Sequence, residues 1–551
     1  MSNKFIFRRN LDIGSLEAET DGFLLDTFTD KGDIEVLEDT KSGRSIIVGR
    51  TGSGKSALLT YLESSEEKVT RINPEEMSLR YLSNSDIIKY LKGLGTNLDL
   101  FYKVLWKHVF IVELLKMHFG EDSYKENGSL SVWMQTIFLS ARKKEALKYL
   151  REYHADFWEK TEVRVKTIED QVRQKLTKEL KLTPALFDKL LSGTLHSDSE
   201  GVQIQKSEIA NKAQKVISEL QADAIYRVVD ILREDIFYNT QKKFYIIIDD
   251  LDKDWVDITI VYDMIRALVV TINELRSIPG TKIIIALRDN LYEKALQETE
   301  VRGMQREKFR QLNLNLEWTP AYLKELLNKR LSLLMKRQYS NTSPVIDEIM
   351  PKASGDKISG FDYIIKRTLM RPRDVIAFFN KCIEKSSGQS TITRDIVALA
   401  EPEYSRERLE AIDDEWAENF GSIKPLCNFL RGGPPSFKLS DLKEGDMEPT
   451  LLADIKDSTS SAKKIQNDYM IGVNCTFIDA VKRIVCILYR VGVIGVKISS
   501  AETTLYSHNS TINLEPSDLT DDSKCYVHLM FHAALKISVK DKEKIQLRRP
   551  K

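Results

Sequence analysis

Eight consecutive residues constrain this chain more than any other feature: Gly49-Arg50-Thr51-Gly52-Ser53-Gly54-Lys55-Ser56 matches G-x-x-x-x-G-K-[ST] without a mismatch. The apolar run Ile46-Ile47-Val48 before it reads as a strand and Ala57 to Leu62 after it as a helix, the opening of an α/β domain. In that setting the glycines let the backbone turn until several N–H groups point inward. The following helix adds its positive N-terminal dipole, and the result is a site for polyphosphate. Gly49 through Ser56, with Ala57 behind them, are the candidate nucleotide-binding residues; Lys55 is placed to reach the β- and γ-phosphates and Ser56 to ligate magnesium.

Such a loop needs an acidic partner at the end of a buried strand in the same sheet, to hold the metal's water shell. Phe244-Tyr245-Ile246-Ile247-Ile248-Asp249-Asp250 supplies it: Asp249 is the candidate metal residue, and Asp250 the candidate general base for an attacking water. The run Asp250-x-Asp252-x-Asp254 imitates the start of a calcium loop, but Trp255 and Val261 stand where that loop needs glycine and glutamate.

A strand at Val69 to Ile72 closes the first part of the domain, and the next β-rich run begins about 170 residues later, so a large insertion separates them. Within it, Ala146 to Leu180 and Val202 to Tyr238 are charged, poor in glycine and apolar at helical spacing, which predicts a helical hairpin or arm broken at Thr194 to Gly201. A helix over Ile258 to Leu275, a strand over Lys282 to Leu287 and a short strand over Leu312 to Trp318 follow, an alternation that implies a mostly parallel, helix-covered sheet. Tyr322 to Glu384 is helical and suits a small lid. The expected organisation is a lead-in segment over 1–40, a nucleotide-binding core over 41–90 and 241–320, a helical insertion over 91–240, a helical lid over 321–400 and a separate C-terminal domain over 401–551.

Composition removes several alternatives. The chain of 551 residues carries 82 lysines plus arginines against 82 aspartates plus glutamates, so no global field favours nucleic acid or an anionic membrane. Five scattered cysteines (Cys382, Cys427, Cys475, Cys486, Cys525) form no C-x-x-C pair and read as buried, reduced thiols. Arg8 and Arg9 interrupt the N-terminal apolar residues, and the longer apolar stretches fall short of the ~20 residues of a membrane span, so a cytoplasmic protein is expected. His528 and His532 read as a structural pair rather than as metal ligands.

Four motifs in this order, the Gly49 to Ser56 loop, Asp-Asp-Leu-Asp at Asp249 to Asp252, Ile284-Ile285-Ala286-Leu287-Arg288-Asp289 and Met370-Arg371-Pro372-Arg373-Asp374, resemble bacterial P-loop ATPases of the STAND and AAA+ type. The resemblance implies a P-loop NTPase core in which a further strand ends in a polar sensor, Arg288, able to detect the γ-phosphate by a charge-assisted hydrogen bond. It also implies a lid arginine that reports nucleotide state: Arg373 occupies that place, with Arg371 as the alternative. AAA+ proteins usually carry glutamate where this chain has Asp250, one methylene shorter, so slow turnover is implied. Arg302, Arg306 and Arg310 are the available arginine fingers, and spacing does not choose among them.

The helix and strand over Phe477 to Val496 and a strand over Cys525 to Phe531 look like a winged helix, followed by a tail from Lys536 to Lys551 with seven basic residues. Two functions follow as expectations. One is an ATP- and magnesium-dependent switch acting on a protein partner or by self-association, in a setting of bacterial stress or anti-phage defence that the resemblance alone implies. The other is a DNA-binding ATPase that grips phosphates with the winged helix and the tail.

Overall fold

A computed structural model of the chain describes residues 5–74, 92, 98–120, 139–153, 223–253, 255–256, 258–297, 306–338, 344–453, 455, 460–472, 475–499, 502–509 and 512–538, with isolated positions between 170 and 185. The chain divides into two compact units, one of Asp30–Arg50 and Lys55–Leu316 and the other of Met1–Thr29, Thr51–Gly54 and Glu317–Lys551.

The first unit is built on a five-stranded sheet of β1 (Ile46–Val48), β2 (Val69–Ile72), β3 (Phe244–Ile248), β4 (Thr281–Leu287) and β5 (Asn313–Asn315) in the order β2-β3-β4-β1-β5. Every pairing is parallel, so the five carboxyl ends share one edge. All residues of β3 and β4 are buried, as expected of strands covered on both faces by helices. Lys282 is the charged exception in β4. Its ammonium donates to the carbonyls of Val36 at 2.6 Å and Asp39 at 2.8 Å, closing the end of α1 (Asp33–Glu38) where helix carbonyls lack partners.

Helix α2 (Lys55–Ser65) leaves the loop after β1, and α3 (Asp99–Phe119) lies against α6 (Ile258–Leu275). Between them Trp106 Nε1 donates to the Met264 carbonyl at 3.0 Å, and Lys103 and Lys107 both reach Glu274, at 2.8 and 2.6 Å. Helices α4 (Ala141–Tyr153) and α5 (Asp223–Ile231) add Leu150 and Ile231 to the same core, and α7 (Asp289–Gln297) follows β4. The greater part of the expected helical arm, over 146–180 and 202–238, lies outside the described residues.

Strand β5 is shorter than the expected run to Trp318. After Leu316, whose amide still donates to the Val48 carbonyl at 2.9 Å, the chain turns away and Thr319 caps α8 (Pro320–Arg337), with Pro320 at the first helical position where no amide donor is needed.

The second unit has one hydrophobic core, shared by the N-terminal residues, α8, α9 (Pro372–Lys385), α10 (Arg394–Phe420), α11 (Ser461–Ile471) and α12 (Phe477–Val491). Phe7, Ile13 and Phe23 enter it, and Arg330 pairs with Asp21 at 2.5 Å while donating to the Ile13 carbonyl, so residues 5–29 are packed structure with the lid helices. The boundary expected at 400 falls inside α10, where Tyr404 stacks on Phe378 of α9 at 4.3 Å. A three-stranded antiparallel sheet, β6 (Ser436–Lys438), β8 (Lys524–Val527) and β7 (Ile494–Lys497), follows in that spatial order.

The capping box of Thr476 and Asp479 starts α12 and the left-handed Gly492 ends it. The strand expected through Phe531 stops at Val527, because the His528 side chain accepts from the Met530 amide and folds Leu529–Phe531 into a 3-10 turn. His532 in turn bonds the Val527 carbonyl at 3.0 Å, so both histidines serve the backbone. All five cysteines are free, four of them buried. No helix among the described residues is long and apolar enough to cross a membrane.

Candidate nucleotide site

Because β1, β3 and β4 are parallel neighbours, the residues leaving their carboxyl ends meet at one edge of the sheet: Gly49 and Lys55 after β1, Asp249 after β3 and Arg288 after β4. Strand β4 stands between the phosphate-loop strand and the Asp249 strand. The Lys55 ammonium folds back over the loop onto the carbonyls of Gly49 at 2.9 Å and Arg50 at 3.1 Å. Burial pushes it down from the usual lysine range, and Asp252, Asp289 and Asp249 pull in the opposite direction without prevailing. The Ser56 hydroxyl hydrogen-bonds the Asp249 carboxylate, which joins the first turn of α2 to the end of β3.

Asp249 is buried, and burial raises its pKa, with Ser56 and the Asp250 amide opposing. Its Oδ1 accepts that amide at 2.9 Å, whereas its Oδ2 is buried and accepts no hydrogen bond, with the Arg71 guanidinium 3.7 Å away. A buried carboxylate oxygen left with unused lone pairs beside a serine hydroxyl is the donor set of a small hard cation, so Asp249 and Ser56 fit magnesium.

Among the described residues Asp250 is one of four non-glycine residues with positive φ, at 58°, a conformation that strains most side chains and is tolerated by aspartate. Its carboxylate pairs with Lys253 at 2.9 Å. Arg288 forms an ion pair with Asp252, and Asp289 lies 3.9 Å from the Arg50 guanidinium. The sequence offers Asp252 as the end of the Asp-Asp-Leu-Asp run and as part of a false calcium loop; here it is the carboxylate that holds Arg288. Arg71, the cation nearest Asp249, carried no signal in the sequence at all.

In the second unit, residues 51–54 are surrounded by the turn before α9. Arg371 Nη1 donates to the Thr51 carbonyl at 2.9 Å, the Arg373 amide to the Gly52 carbonyl at 3.4 Å and Trp318 Nε1 to the Ser53 carbonyl at 2.7 Å. The Arg371 guanidinium also holds Asp374 at 2.9 and 3.0 Å and Glu415 at 3.1 Å, with Arg371 and Asp374 buried and Glu415 half-buried. Arg371 is therefore committed to protein partners, while Arg373 Nε reaches only the Leu16 carbonyl at 3.3 Å. Burial and the neighbouring Arg371 both oppose the charge of Arg373.

Gly52 and Gly54 have φ of +76° and +98°, and a Cβ on Gly52 would lie 2.7 Å from the Cβ of Arg373. Gly52→Ala is accordingly expected to destabilise this unit by about 1–3 kcal/mol, measured by denaturant unfolding; an unchanged midpoint would show that the contact with Arg373 gives way freely. Thr51 Oγ1 and Ser53 Oγ are buried without a hydrogen-bond partner. Of the expected arginine fingers, Arg302 lies outside the described residues and Arg310 is exposed.

Comparison with known proteins yields two findings. Residues 321–413, about a sixth of the chain, match the model of the FunZ-associated C-terminal helical domain. That segment covers α8, α9 and most of α10, and so includes Arg371, Arg373 and Asp374. The chain is also similar to an Escherichia coli (strain K12) protein named "Putative transposon gamma-delta 80.3 kDa protein", at 22% identity over 436 residues, which covers 77% of this chain and 54% of the relative. The chain spans about half the length of the relative it matches.

Proposed function

We propose that the chain is a magnesium-dependent ATP-binding protein with slow ATPase activity, a P-loop NTPase related to the STAND and AAA+ type, working as a nucleotide-driven switch on a protein partner. The observation that carries this reading is the meeting of Lys55, Ser56, Asp249 and Arg288 at the carboxyl edge of one parallel sheet, with Ser56 bonded to a buried Asp249 whose second oxygen faces Arg71 and accepts no hydrogen bond. The strand order, with β4 between the phosphate-loop strand and the Asp249 strand, supports the STAND and AAA+ assignment over simpler kinases.

In this reading the loop amides and Lys55 bind the β- and γ-phosphates, and Ser56 and Asp249 hold magnesium. When bound, magnesium neutralises charge on the phosphate oxygens. Asp250 accepts the proton of the attacking water as the bond between the γ-phosphorus and the leaving ADP oxygen breaks. Asp250 is one methylene short for that work and is paired with Lys253, which is consistent with slow turnover. Arg288 must leave Asp252 to meet a γ-phosphate, so the ion pair competes with the nucleotide for the sensor. Arg373, half-buried and with no ion pair among the described residues, supplies a cation able to answer the nucleotide from the lid.

The DNA-binding alternative finds little support in α12, the helix that would enter a groove: every residue from Phe477 to Val491 is buried or half-buried, and Arg483 is paired with Asp468 at 2.8 Å. The winged-helix likeness of the C-terminal segment rests on α12 followed by β7 and β8. The relative's name links that protein to a transposon. A setting at the boundary between a bacterial cell and mobile or invading DNA is the biological context we propose for this chain.

The test is phosphate release from ATP by the full chain. Wild type is expected to turn over slowly and only with magnesium, Asp249→Asn to lose turnover together with the magnesium dependence of binding, and Asp250→Asn to lose turnover while still binding ATP. Turnover that survives Asp250→Asn would remove the general-base assignment, and turnover independent of magnesium would remove the metal site.

A further inference from the structure

Three consecutive carbonyls at the tip of the glycine loop, those of Thr51, Gly52 and Ser53, each accept a hydrogen bond from a residue far along the chain: Arg371, Arg373 and Trp318. In a planar trans peptide the C=O and the N–H of the next residue point in opposite directions, and no peptide here is cis. Fixing the carbonyl of residue 51 therefore fixes the direction of the amide of 52, and fixing those of 52 and 53 fixes the amides of 53 and 54. The alternating left-handed conformations of Gly52 and Gly54 turn those amides into a concave nest, the backbone form that binds anions.

We propose that Trp318 and Arg371 are positioning residues for the polyphosphate site: by tying down the carbonyls of Ser53 and Thr51 they aim the amides of Gly54 and Gly52 at the phosphates. This rests on reading Gly49 to Ser56 as a phosphate loop. It gives Arg371 a role other than sensing the γ-phosphate. Its guanidinium is spent on Asp374, Glu415 and the loop carbonyl, and Asp374 and Glu415 act in turn by holding the fork at the angle that reaches Thr51. Trp318 sits between β5 and α8, so the indole that holds the loop lies two residues before the first residue of α8. Any displacement of that junction or of the turn before α9 re-aims the nest, and this links phosphate affinity to the packing of the helical segment 321–413 within the same unit.

Trp318→Phe keeps an aromatic ring and removes the indole donor; Arg371→Lys keeps a cation beside Asp374 and Glu415 and removes the fork. Two measurements on the full chain read the outcome. Hydrogen exchange of the peptide covering residues 46–56, without nucleotide, is expected to quicken at 52–54 in both variants. Titration calorimetry is expected to show ADP and ATP binding weakened about fivefold to tenfold, with the loss in turnover carried by KM rather than kcat. A merely structural role would lower the melting temperature and leave KM for ATP at the wild-type value. Trp318→Phe with wild-type loop exchange and wild-type ADP affinity would overturn the proposal. Failure of the wild-type protein itself to bind ADP or ATP would overturn the phosphate-loop reading, and the positioning role with it.

Discussion

Replacing Asp374 with alanine is expected to lower the unfolding free energy of the second unit by about 3–5 kcal/mol, the cost of breaking a buried charge network from one side. The carboxylate is fully buried and accepts from the Leu369 amide at 3.0 Å and from two nitrogens of Arg371, with Arg408 at 3.7 Å. Its loss removes the Arg408 ion pair and the acceptor of the Leu369 amide, and leaves the buried Arg371 with Glu415 as its remaining carboxylate. Burial pushes the Asp374 pKa upward, but Arg371, Arg408 and the Leu369 amide outweigh it, so the folded value lies below the ordinary carboxylate range. A depressed carboxylate contributes stability that is present above the unfolded pKa of about 3.9 and is lost as pH falls through the folded value. Denaturant unfolding of wild type and Asp374→Ala at pH 7 and at progressively lower pH should therefore show two curves that converge in acid. Parallel curves would mean that the network contributes nothing specific to the ionised form.

Lys55→Ala is expected to weaken ATP binding by about 100-fold, in line with the 1.5–3 kcal/mol that hydrogen bonds to charged groups contribute. The Lys55 ammonium donates to the carbonyls of Gly49 and Arg50, and burial disfavours its charge. An incoming polyphosphate offers the full negative charge that those carbonyls lack. The substitution also removes the cation that Asp249, Asp252 and Asp289 face, so denaturant unfolding of the variant separates its effect on folding from its effect on the ligand. A variant that binds ATP like wild type, measured by competition with a fluorescent nucleotide, would contradict the role given to Lys55.

The parallel sheet was legible wherever strands were continuous apolar runs. Ile46–Val48 and Phe244–Ile248 lie where the sequence predicts them, because strands covered on both faces need no alternation to announce themselves, and the edge strand Val69–Ile72, half-buried at Val69, Thr70 and Arg71, also lies where it is expected. The short β5 was over-read. Of the expected residues beyond it, Leu316 still pairs its amide with the Val48 carbonyl and Trp318 turns its indole to the Ser53 carbonyl, so the apolar residues there do not extend the strand. The packing of Phe7, Ile13 and Phe23 with helices more than 300 residues away was invisible, since their partners are set by tertiary contact and not by local pattern.

At the site, the fixed spacing of a glycine loop gave Gly49 to Ser56, and the end of a buried strand gave Asp249. Arg288 came from its motif, but its bond to Asp252 depends on the side-by-side placement of β3 and β4, which no single segment encodes. For Arg371 and Arg373 the sequence offered two candidates for one role. Their geometry separates them, one being buried among carboxylates and the other bonded only to a backbone carbonyl.

The central claim is that this chain holds ATP and magnesium together at the Lys55 and Asp249 edge of the sheet. Calorimetric titration of the full protein with ATP, with and without magnesium, tests it most directly. The account predicts a single saturable site, tighter with magnesium, with the magnesium effect absent in Asp249→Asn. A wild-type protein that shows no saturable binding of ATP in either condition would contradict it.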